Sequence, residues 1–172
     1  MSKGGTLNVG STALNNVRAY AIIVKIEEKI RETLADDWLP LVYKTKVRLQ
    51  RTRSVHLDIA ARENKAEILY TLLGIELKVG RRRFSCPDLA TARYLRVFAR
   101  IGCADFAIPY DITQISGVAD ELETSWQRSL VLVDGKSPAR TALIKSLRNE
   151  INAYGPGDAM TLFDRETKQR KA

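Results

Sequence analysis

The sequence predicts an α+β fold, a small antiparallel or mixed sheet of about four strands covered by about five helices. Three observations predict it. Apolar residues recur at three- and four-residue steps along several stretches. Shorter stretches alternate apolar and polar residues strictly. Gly, Pro and Asp clusters punctuate the two kinds of pattern.

Residues 1–11 hold three glycines and no apolar period, so they form a flexible lead-in. From Thr12 to Leu34 a helix is expected, with Thr12 as its cap and Ala19, Ile23, Ile26, Ile30 and Leu34 on one face. Asp36, Asp37 and Pro40 end it. From Leu41 the period shortens. Leu41, Tyr43, Thr45, Val47 and Leu49 alternate with Val42, Lys44, Lys46 and Arg48, which predicts a half-buried strand. Val55, Leu57 and Ile59 alternate with Ser54, His56 and Asp58. A connection at Arg51–Arg53 then makes a 41–59 hairpin, with Arg48 facing His56 and Lys46 facing Asp58.

Ala61, Ile68, Leu69 and Leu72 predict a helix capped by Gly74, and Ile75, Leu77 and Val79 a short strand. A helix capped by Ser85 or Cys86 follows, with Ala90, Tyr94, Val97, Phe98 and Ile101 inward and Gly102 as its stop. Residues 105–111 predict a strand, held to an edge by Pro109. Two helices complete the reading, one over Ser116–Val133 and one after Ser137 and Pro138. Residues 12–157 form a single globular domain, and the charged tail 158–172 is loosely ordered.

The formal charge is +8, with arginine outnumbering lysine 17 to 11. The excess sits in residues 40–100, where fourteen basic side chains meet five acidic ones. Arginine forks suit phosphate recognition. Three basic features stand close in sequence. They are Lys44, Lys46 and Arg48 with Arg51 and Arg53, the run Arg81, Arg82 and Arg83, and the stripe Arg93, Arg96 and Arg100 on one helix. Gathered on one rigid surface, they would contact the phosphates of nucleic acid, RNA or DNA, without catalysis. Two alternatives stand beside this. One is a structural or adaptor subunit whose basic face meets an acidic protein. The other is a metal-independent ribonuclease with His56, the one histidine, as its base and Asp58 beside it on the strand.

Other chemistry finds little support. No apolar run approaches the roughly 20 residues of a membrane span, and no signal-peptide hydrophobic region opens the chain, so a cytoplasmic protein without membrane contact is expected. Cys86 and Cys103 match no metal spacing and suit buried, unpaired thiols. "VDGKSP" lacks the earlier glycine of a phosphate loop. Neither a metal nor a cofactor is expected.

Overall fold

Leu39, Val42, Tyr43 and Val47 are all buried, and that three- and four-residue spacing belongs to a helix. A computed structural model, which describes residues 9–133, 135 and 137–156, places them on helix α2 (Leu39–Val42) and on the π-helical segment Tyr43–Arg48 that continues it. The expected strand over 41–49 is therefore absent, and so is the 41–59 hairpin. Pro40 explains the change. It stands in the first turn of α2, where its missing N–H leaves no bond unmade, and so helps start a helix, while α1 has already ended at Leu34, before Ala35 at φ +47°.

Helix α1 spans Val9–Leu34 and begins before Thr12. Its buried face starts near Ile23 and runs through Ile26, Ile30 and Leu34; Ala19 is exposed. Strand β1 (Thr52–His56) pairs antiparallel with β5 (Asp105–Pro109), setting Arg53 opposite Ile108 and His56 opposite Asp105. Strands β2 (Ala66–Thr71), β3 (Gly74–Val79) and β4 (Arg82–Cys86) form a separate antiparallel meander. Residues 66–71 are thus a strand where a helix was expected, and Gly74, at φ +118°, begins the next strand in place of capping a helix. The α+β class holds, with two small sheets and four long helices among the described residues: α1, α3 (Leu89–Ile101), α4 (Ile112–Val133) and α5 (Ser137–Tyr154). The expected lead-in overlaps α1 from Val9 onward, and residues 1–8 and the expected tail lie outside the described residues.

Helix α3 carries the core. Asp88 caps it by accepting from the Thr91 N–H at 2.7 Å, so the cap falls two residues beyond Cys86. Tyr94, Val97, Phe98 and Ile101 are fully buried, as the apolar face requires. Phe98 stacks on Phe106 of β5 at 4.2 Å, and the Tyr43 ring meets Phe98 edge-on at 5.5 Å. Among the described residues, strand β5 has a strand neighbour on one side only. On the other side the Tyr94 hydroxyl donates to the Ala107 carbonyl at 2.6 Å, and the Ala107 N–H donates to the Tyr43 hydroxyl at 2.9 Å. Two side chains thus replace a missing strand. Pro109, two residues on, lacks an N–H on the side where the described residues hold no ladder partner.

The C-terminus of α3 explains the path of loop 57–65. Helix ends leave carbonyls without intrahelical partners. Here Gly102 N–H serves Phe98 and Ala99, Asn64 N–H serves Arg100, the Asn64 side-chain amide serves Ala99, and Arg148 Nε serves Ile101. Gly102 sits at φ +86°, and a Cβ there would fall 2.2 Å from the Arg62 carbonyl oxygen. Only glycine lets the loop lie this close to the helix end.

Candidate nucleic-acid interface

Arg93 and Arg96 stand three residues apart on α3, and Asp120 and Glu123 stand three apart on α4. The two pairs face each other. Arg93 binds Asp120 and also Glu123 at 2.7 Å, and Arg96 binds the other Glu123 oxygen at 2.7 Å. Burial pushes the Glu123 carboxyl up, but the hydrogen bonds from Arg93 and Arg96 outweigh it and leave the group below its ordinary range. Arg100 is half-buried, with its guanidinium 3.4 Å from the Ala66 carbonyl, and burial lowers its pKa. Arg93 and Arg96 therefore form a seam between α3 and α4, and Arg100 reaches β2. Helix α4, expected from Ser116, starts four residues earlier at Ile112, which sets Asp120 and Glu123 in its middle turns.

The run at 81–83 divides. Arg82 and Arg83 alternate on β4, where Arg82 pairs with Asp58 and Arg83 lies 3.4 Å from Glu76. Arg81 occupies the two-residue β3–β4 turn with Gly80 and is exposed. His56 and Asp58 do not act together. His56 Nδ1 lies 2.7 Å from Asp105 Oδ1 across the β1–β5 pair, on open surface, while Asp58 serves Arg82.

What remains is contiguous in sequence. Between Asp37 and Asp58 the chain contains no acidic residue and five basic ones. Lys44 and Lys46 project from the π-helical segment, Arg51 from the loop and Arg53 from β1, all exposed. None of these four has a carboxylate partner within ion-pair distance among the described residues. Arg48 turns inward instead, donating to the Tyr154 carbonyl at 3.0 Å and to the Thr52 hydroxyl at 3.2 Å, so it braces the segment. The Arg51 guanidinium lies 4.8 Å above the ring of Tyr110, which is 52% exposed, and Lys44 lies 5.6 Å from the Tyr154 ring. The Tyr110 N–H donates to the Arg51 carbonyl, which fixes the stacked pair at the end of the β1–β5 ladder. The nearest acid in sequence to Tyr110 is Asp111, and its carboxylate already accepts from Thr113 and Gln114 at the start of α4. Tyr110 had no signature in the sequence, because its role comes from register between distant strands.

Ala107 turns its peptide groups away from β1, so Ser54 opposite it turns its own outward to the β1 edge that has no strand partner among the described residues. Cys86 and Cys103 are buried free thiols. Among the described residues, no cluster of three or more His, Cys, Asp and Glu could hold a metal, and no helix is long and apolar enough to cross a membrane. No family model, curated protein or solved structure matches this chain.

Proposed function

We propose that this protein is a non-enzymatic nucleic-acid-binding protein, RNA or DNA, that contacts phosphates through residues 44–53. The observation that carries the reading is the acid-free basic segment itself: Lys44, Lys46, Arg51 and Arg53 exposed on helical, loop and strand backbone, with no carboxylate to neutralise them among the described residues. Phosphate contact needs cations on a rigid frame, because a fixed spacing along the backbone sets register. The Arg51–Tyr110 stack adds a surface for an unpaired base, which favours a single strand over a duplex. Arg93 and Arg96 belong to the fold in this reading and not to the interface.

Binding of a labelled single-stranded oligonucleotide, measured by anisotropy across a salt series, tests it. Affinity should fall log-linearly with salt and exceed that for a duplex of the same sequence. Absence of saturable binding at low salt would remove the reading. A second reading has one observation behind it. The outward peptide groups of Ser54, on a β1 edge with no strand partner among the described residues and next to Arg53, suit an extended acidic segment of a protein partner added as a further strand. Such a partner would stay bound after nuclease treatment.

A further inference from the structure

Loop 57–65 and the β3–β4 turn line an open cavity of about 450 Å³ whose walls include Asp58, Arg62, Asn64, Gly80, Arg81 and Arg82. Three of these residues carry guanidinium groups and one carries a carboxylate. Asp58 is already committed to Arg82. Arg62 and Arg81 have no carboxylate partner among the described residues. The cavity is therefore cationic after its internal pairing is complete.

Its walls are also fixed in place. The backbone at Arg62 lies so close to Gly102 that no Cβ fits between them. Asn64 spends its side-chain amide on the Ala60, Arg62 and Ala99 carbonyls, so it is a strut for the loop and not a ligand group. The Gly80 N–H reaches the Lys65 carbonyl at 3.4 Å, which carries the β2–β3 ladder one rung on and anchors the start of the turn beside the end of the loop. Gly80 itself takes φ +61°, which lets Arg81 stand at the corner of a two-residue turn.

We propose that this cavity binds the phosphoryl group of a phosphate-bearing ligand of nucleotide size, with Arg62 and Arg81 as its principal contacts and Arg82 held in reserve by Asp58. Planar guanidinium forks match two phosphate oxygens at once. The volume falls in the range of small-molecule sites and exceeds what a bare inorganic ion fills. The assignment is independent of residues 44–53 and stands whether or not that surface binds nucleic acid. The phosphoryl group could belong to a free nucleotide or to the end of a nucleic-acid strand, and the two sources share this chemistry.

The test is amide NMR of the full chain at low salt, titrated with adenosine monophosphate and, separately, with an oligonucleotide bearing or lacking a 5′-phosphate. The site predicts saturable shifts at Arg62, Gly80 and Arg81 with a Kd of about 1 mM or tighter for the mononucleotide. Arg62→Ala and Arg81→Ala should each weaken binding roughly tenfold. Asp58→Asn should tighten it by about threefold or more, a change that a misfolded variant cannot produce. A 5′-phosphate that improves oligonucleotide binding, with the gain lost in Arg62→Ala, assigns the strand end as the source. Mononucleotide binding with no such gain assigns a free nucleotide. Shifts that never saturate, or an affinity indifferent to Arg62, Arg81 and Asp58, would overturn the proposal.

Discussion

The hydroxyl of Tyr43 accepts the N–H of Ala107 at 2.9 Å and donates onward to the Gly155 carbonyl at 2.8 Å. One phenol thereby joins the π-helical segment, the buried strand and the end of α5. Tyr43→Phe would leave the Ala107 N–H buried without a partner. It should lower stability by about 1–3 kcal/mol in urea denaturation at neutral pH. An unchanged midpoint would show that the strand finds another acceptor.

Stability should fail at alkaline pH in a defined window. Burial pushes both the Tyr43 hydroxyl and the Cys103 thiol up to about 12, and raises Tyr94 and Cys86 as well. In the unfolded chain thiols and phenols ionise near 9 and 10. The folded state holds these protons more tightly, so their contribution is complete below about pH 9 and is lost as pH rises toward 12. Each group ionised only when unfolded removes about 1.4 kcal/mol per pH unit. Urea midpoints collected from neutral pH upward should be flat to about pH 9 and then fall. Cys103→Ala should make the fall shallower.

Glu123 holds two arginines, and its side chain is only 20% exposed. Glu123→Ala should destabilise by about 2–4 kcal/mol, because Arg93 and Arg96 would be left partly buried with only Asp120 nearby. The lowered Glu123 pKa adds an acid dependence. The pairing contributes fully above the ordinary carboxylate pKa of 4.5 and is lost as pH falls through the depressed folded value. Thermal melts of Glu123→Gln and the parent should converge as pH falls toward that value.

Gly102→Ala places a methyl group against the Arg62 backbone at φ +86°. The expected cost is about 2 kcal/mol or more, read from the thermal midpoint. Alanine at Gly80, which has nothing within 4 Å of its would-be Cβ, should cost less.

Helix α3, its apolar face and strand β3 were legible because each shows one period and bounded ends. The stretch 41–49 was not, because its residues satisfy two periods at once. Tyr43 and Val47 are four residues apart, two full strand periods and about one helical turn, and only the place of Pro40 in the α2 first turn separates the readings. The β2–β3 hairpin was hidden by its turn. Leu72 and Leu73 stand where Asn-Gly is usual, and both are almost fully exposed. For the site, sequence located the basic residues but not their partners. Whether an arginine is spent internally depends on carboxylates such as Asp120 and Glu123, which lie 27 and 30 positions from Arg93. Matching three-residue spacings on the two helices was the one local hint.

The central claim is that residues 44–53, and not the α3 stripe, form the nucleic-acid surface. The most direct measurement compares single-stranded oligonucleotide affinity across a salt series for the parent, for Lys46→Ala/Arg51→Ala/Arg53→Ala, and for Arg93→Ala/Arg96→Ala, each checked for folding by circular dichroism. The first variant should bind more weakly, with a log–log salt slope shallower by about 2. The second should melt earlier yet keep the parent slope while folded. A parent slope in the first variant, or loss of slope in the second alone, would contradict the account.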